Sequence, residues 1–256
     1  MKPDTHQAQI VNDVKFIFAP TQLVLWANSE SLSDVSPYFK TLFDSGFAES
    51  SLATQDNRST EADSREAKRD FDDSDDETDD CIVERRGRVD SAVNHNLPSR
   101  LVNVDSAAFT TYHAVLCWIN TGYIVFAPLR SSFRLQPEPS VPRQAELDRL
   151  RVHPSHPLPA SPKSVYRLAH YLELAGLMEI ALAELKWQLT KDILAYEVFG
   201  DVALAYEDIR EMELKLAVED WEYIKESAAM EHVGKMVEAG ELPSFGIMSY
   251  KLCQRV

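Results

Sequence analysis

Regular patterning begins at Val14-Lys15-Phe16-Ile17-Phe18, a β-branched and aromatic run that reads as a strand. Gln22 to Trp26 forms a second such run, and Ala19-Pro20-Thr21 between them suits a hairpin. Ser36-Pro37 then supplies a cap residue and a proline at the first helical position, where its missing N–H costs nothing. Tyr38, Phe39, Leu42 and Phe43 fall on one face of that helix, with Lys40 opposite and Gly46 placed to end it. Phe39 is expected in the core.

From Ser51 to Ser99 the periodicity dissolves. Asp56 to Asp80 carries 12 acids against 4 bases. Such a charge density does not collapse without a compensating apolar face, so residues 51–99 are expected to form a long disordered insertion. Removing Gln55 to Asp80 is then expected to leave the fold intact. Order resumes with the strand Leu101 to Val104. Asp105 or Ser106 is placed to cap a helix in which Phe109, Tyr112, Leu116 and Ile119 recur, and Thr121-Gly122 closes it. Ile124-Val125-Phe126 reads as one more short strand.

Arg130 to Pro162 holds seven of the thirteen prolines and reads as a second insertion, stiff and largely irregular, with a short helix at Arg143 to Arg151. Beyond Ser161-Pro162 the pattern is helical. Val165, Leu168, Ala169, Leu172 and Ala175 form a stripe that Gly176 is expected to break, and Leu177 to Leu189 follows. Further helices are expected at Ile193–Phe199, Val202–Met212, Lys215–Ser227 and Ala229–Ala239.

Composition narrows the function. With 256 residues, 45% of them hydrophobic, the chain can bury one or two cores. A formal charge of -15 argues against a nucleic-acid surface, since phosphate binding needs clustered Lys and Arg. Cys81, Cys117 and Cys253 lack metal spacing and suit a reducing compartment, Cys117 as a small core residue. Met1 to Gln9 has no apolar signal core, and no apolar run approaches the roughly 20 residues that span a bilayer. An intracellular protein of nucleus or cytoplasm is expected, off the membrane.

D-V-K-F at Asp13 resembles the opening strand of a BTB/POZ domain, and S-P-Y-F-K-T-L-F-D-S-G-F-A-E-S from Ser36 resembles its characteristic helix and turn. W-I-N-T-G-Y-I-V-F and S-V-Y-R-L-A-H-Y-L-E-L-A-G-L are similar to later elements, and F-A-P-L with S-P-K-S-V-Y-R-L-A is similar to fungal members with a helical tail. The resemblance covers about 100 of the first 190 residues outside the insertions. It implies an α+β fold, a small sheet with surrounding helices over residues 13–189 after a tail at 1–12, then an all-α extension over 190–256. It also implies a protein-interaction module, an adaptor or scaffold without catalytic activity. Its partners are other proteins, a cullin or another BTB protein among them; a cullin ubiquitin-ligase adaptor is the alternative, and an enzyme without a recognisable motif the remoter one. The chain departs from the family at Asn28, where a His is usual after Ala27. About a dozen residues precede Asp13, too few for the swapped helix and strand of long-form dimers, so the resemblance does not imply that dimer and leaves BTB-mediated self-association open.

Candidate sites are few. Phe47 and Glu49 match the apolar-x-Glu element that cullin-binding members carry after this helix; alternatively Phe47 packs the turn and Glu49 is solvated. Ser74 and Thr78 precede carboxylates, as substrates of acidophilic kinases do, although a plain solubilising tract reads the same way. His153 and His156 lack the companions of a metal site, and His113 and His170 read as partly buried packing residues. Trp118, Trp187 and Trp221 are expected in cores. No nucleophile elbow, zincin, P-loop or Rossmann motif is present, so neither catalysis nor a cofactor is expected.

Overall fold

The computed structural model describes residues 12–19, 21–44, 74–86, 100–134, 142–242 and 245–255. The fold is α+β. Strands β1 (Val14–Phe18), β2 (Leu23–Ala27) and β3 (Arg100–Val104) make one sheet in the order β2-β1-β3. β1 pairs antiparallel with β2, Phe16 opposite Leu25, and parallel with β3, Phe16 opposite Val102. Gln22, at φ 57, turns the hairpin and donates its N–H to the Phe18 carbonyl at 2.8 Å.

Period-two alternation puts Val14, Phe16 and Phe18 on the inner face of the central strand, all buried. The rings of Phe16 and Phe18 meet rings from two helices, α2 (Pro37–Asp44) and α4 (Phe109–Thr121). Phe16 lies 5.9 Å from Phe39 and 5.4 Å from Tyr112, and Phe18 lies 5.4 Å from Phe109, mostly edge to face. Such pairs add about 0.5–1.5 kcal/mol each beyond their area. Phe39 is core, as expected, and Lys40 is exposed.

A further helix, α1 (Ser29–Val35), precedes α2. Asn28 is its N-cap and accepts from the Ser31 N–H at 2.8 Å. Ser36 joins the two helices: its Oγ accepts from the Phe39 N–H at 3.2 Å and donates to the Leu172 carbonyl at 2.7 Å. That second bond ties α2 to the distant end of α7 (Pro162–Tyr171).

The first insertion departs most from expectation. Within 51–99, residues Ser74–Arg86 form a helix, α3, packed on α4. Asp75, Thr78, Asp79 and Ile82 share one face of it, the first three buried and Ile82 against the core. The reason lies in helix termini. The first turn of α4 is buried, and its N-cap, Ala108, offers no side-chain acceptor. Asp79 provides one: it accepts from the N–H of Phe109 at 2.6 Å, the N–H of Thr110 at 2.9 Å and the Thr110 hydroxyl at 2.7 Å. Asp75 accepts from the Ser161 N–H at 2.9 Å, at the start of α7, and from the Thr111 hydroxyl at 2.8 Å. Asp105 and Ser106, both exposed, are not the cap that local spacing suggested. A segment too acidic to collapse by itself is ordered by donors that need acceptors.

The Pro-rich stretch has the short helix expected at Arg143 and one more, not expected, before it. It holds α5 (Ser131–Arg134) and α6 (Arg143–Leu150), with Leu147 buried. The strand expected at Ile124–Phe126 reduces to a single parallel bridge between Phe126 and Ala160. After α7 the chain turns at Glu173, at φ 58, so Gly176 lies inside α8 (Ala175–Gln188) and does not break it. Gly122, at φ 71, closes α4 as its spacing suggests.

The remaining helices are α9 (Leu194–Val198), α10 (Asp201–Ala205), α11 (Glu207–Glu219), α12 (Trp221–Ile224), α13 (Ala228–Glu238) and α14 (Phe245–Cys253). The break between α10 and α11 falls inside the helix expected at Val202–Met212, and α14 had no counterpart in the pattern. Ile193, Val202 and Ile209 belong to the sheet-centred core. A second core gathers Leu194, Phe199, Leu214, Val233, Met248 and Leu252.

Two substitutions test the role of α3. Asp79→Ala should cost about 1–3 kcal/mol, since it strands buried N–H donors, whereas Asp80→Ala, on the exposed face, should stay within about 0.5 kcal/mol. Urea unfolding measures both; equal midpoints for the two variants would show that α3 does not support α4. By the same reasoning, removing Gln55 to Asp80 should weaken the fold.

Candidate functional site

Two places combine exposure or buried charge in ways that packing alone does not account for. The first is the outer face of α8. Leu177, Ala181 and Leu185 recur at i, i+4 and i+8 and fill the sheet-centred core. On the opposite side Ile180, Ala183 and Trp187, at i, i+3 and i+7, are exposed, Ile180 by 43% and Trp187 by 81%. This apolar stripe is about 10 Å long at the helical rise. Trp187 is therefore not a core residue, while Trp118 and Trp221 are half-buried and pack against the two cores.

Nearby, at the α7–α8 turn, Tyr171 is half in solvent. Its hydroxyl is 2.7 Å from that of Tyr38 and the two rings lie 4.7 Å apart. His170 is exposed and sets its ring edge-on to Tyr206; His113 is half-buried.

The second place is a cavity of about 160 Å³ between α5, the start of α7 and helices α9, α10, α11 and α13. The tight turn at Gly200, whose N–H bonds the Glu197 carbonyl at 2.9 Å, sets Glu197 facing α7. An added Cβ at Gly200 would lie 3.1 Å from that carbonyl oxygen. Lys163 meets Glu197 Oε2 at 2.9 Å, joining the two helical layers. Glu213 occupies the buried face of α11 with Ile209 and Ala217, at i-4 and i+4, where an apolar residue is usual. Only 1% of it is exposed. Burial first, then the negative charge of Glu197, pushes its carboxyl well above the ordinary 4.5, against the opposing pull of Lys163.

Phe47 and Glu49 lie outside the described residues. Thr78 is 1% exposed, with Arg143 Nη1 3.5 Å from its hydroxyl, so a kinase reaches it only once α3 has left its seat. Ser74 is the first residue of α3. Cys117 is half-buried, its Sγ 3.6 Å from Thr121 Oγ1. His153 bonds Ser155 Oγ at 2.7 Å and stands 6.0 Å, ring to ring, from His156. Among the described residues no cluster of metal-ligating side chains occurs, and no helix is long and apolar enough to cross a membrane. No protein-family model matches the chain, and no curated protein matches it.

Glu213 sets a pH dependence whose sign follows from its raised value. The folded chain holds a proton that the unfolded chain releases, so the contribution of this group falls as pH rises from about 4.5 through the raised folded value. Wild type minus Glu213→Gln, compared by urea unfolding between about pH 5 and about pH 8, should therefore decline with pH. A difference that stays constant would remove Glu213 from the titration.

Proposed function

We propose that this chain is a BTB/POZ-like interaction protein, an adaptor or scaffold that holds other proteins and performs no chemistry of its own. The observation that carries the reading is the exposed stripe of Ile180, Ala183 and Trp187 on α8. A large aromatic left in solvent beside an aliphatic neighbour is the composition of an interface hot spot, because its area is gained only when a partner covers it. The element order supports the family reading: a hairpin, a helix pair, a strand parallel to β1, then α4, α7 and α8. The helices α9–α14 that follow α8 support the reading of a helical extension.

Recovery of bound proteins by the intact chain, compared between wild type and Trp187→Ala, tests it. Truncating a hot-spot tryptophan costs about 2 kcal/mol of binding or more, so proteins retained by wild type should be lost from the variant. The urea midpoint should be unchanged, since the ring packs little. A cullin among the lost proteins would assign the ligase-adaptor form, and other proteins the scaffold form. Identical recovery from both chains would take the α8 face out of the reading.

A further inference from the structure

Two residues of the cavity wall each carry a buried polar atom without a partner. Ser131 Oγ and Glu213 Oε2 both belong to residues that line it, and neither meets a hydrogen-bond partner among the described residues. Native structures leave few such groups, and each calls for a cause. At about 160 Å³ the cavity is larger than a single water requires, about 10–15 Å³ on this measure. It has room for a small organic group.

The charges around it select the sign of that group. Three cations line the cavity, and each is engaged: Arg130 pairs with Glu77, Arg134 lies 5.7 Å from the Tyr196 ring centre, and Lys163 holds Glu197. Against them stand Glu197 from α9, Asp201 from α10, Glu213 from α11 and Glu241 after α13. α13 itself contributes only Val233 and Met236. An anion entering here would meet the buried Glu197 carboxylate. The unsatisfied atoms, a carboxyl oxygen and a hydroxyl oxygen, both accept hydrogen bonds. No donor of the described residues reaches either oxygen, and each cation at the cavity wall is already engaged elsewhere.

We infer that this cavity receives an ammonium or guanidinium group from a Lys or Arg side chain of a partner protein, with Glu213 and Ser131 as its acceptors. The inference rests on the interaction reading and adds the chemistry of the partner. At a pH below its raised folded value, Glu213 exchanges its proton for the incoming cation. Its O–H bond breaks, the proton passes to solvent, and the carboxylate pairs with the incoming group. Lys163 stays on Glu197 throughout, so the newly formed charge faces a cation and not a second free carboxylate.

Titration calorimetry of the full chain near pH 7, in two buffers of different protonation enthalpy, tests this with N-acetyl-arginine amide as the probe. The capped residue should bind and release about one proton per site where Glu213 starts protonated. N-acetyl-citrulline amide, its neutral isostere, should bind at least about tenfold more weakly. Glu213→Gln should lose both the affinity and the proton release while retaining cooperative unfolding. The inference is overturned if capped arginine does not bind, if citrulline binds equally, if the variant binds unchanged, or if inorganic phosphate binds more tightly. Agmatine binding about tenfold tighter than the capped residue would overturn the side-chain source in favour of a free small molecule. The titration contains no partner protein, so its failure leaves the α8 comparison standing, and failure at α8 leaves the titration standing.

Discussion

A helix whose first turn is buried must find acceptors for its free N–H groups, and in this protein two such turns draw on a single outside element. The start of α4 has no local side-chain cap, and the backbone N–H of Ser161 opens α7 from within the interior. Asp79 and Asp75, one helical turn apart on α3, serve the two in order. Charge-assisted bonds of this kind are roughly twice as strong as neutral ones, and they sit at the positive ends of two helix dipoles. α4 carries Phe109 and Tyr112 onto the aromatic side of β1, and α7 carries the Leu172 carbonyl that Ser36 holds. The sheet, the helix pair beneath it and the following layer therefore all lean on two carboxylates from the most acidic part of the chain.

That dependence explains what could be read from the residues and what could not. Val14, Phe16 and Phe18 alternate, Phe39, Leu42 and Phe43 recur on one helical face, and Gly122 takes the left-handed cap; each signal is local and apolar, and each element lies where its pattern puts it. α3 has helical periodicity as well, but its inner stripe is Asp75, Thr78, Asp79 and Ile82, and a search for apolar recurrence passes over it. Its acceptor role depends on donors 30 to 86 residues away, a separation no local window contains. Asn28 caps the 7-residue helix α1, which is too short for apolar recurrence to mark it in the sequence.

The candidate sites were less legible than the fold. The α8 sequence supplies apolar residues around most of the helix, so nothing local distinguishes Leu185, fully buried, from Trp187, exposed by 81%. The distinction comes from which side meets the sheet-centred core, and tryptophan's usual preference for burial pointed the wrong way. Glu197 and Glu213 lie among many acids in the C-terminal helices. Only Glu213's spacing from Ile209 and Ala217 hinted at an inward carboxyl, and only tertiary packing brings Glu197 and Lys163 beside it.

A carboxyl at such a position is not a device for stability. An apolar residue there would extend the contact among α9, α11 and α13, and replacing buried ionic groups by well-packed apolar ones is often neutral or stabilising. A buried acid beside a second acid weakens the fold toward neutral pH, the direction that its raised proton affinity imposes. Departures from local consistency of this kind concentrate where a protein does something besides fold. α3 is the contrast, because its buried acids are each fully used by donors within the chain and need no visitor. Among the described residues, Asp75 and Asp79 have their donors within the chain, whereas Oε2 of the buried Glu213 has none.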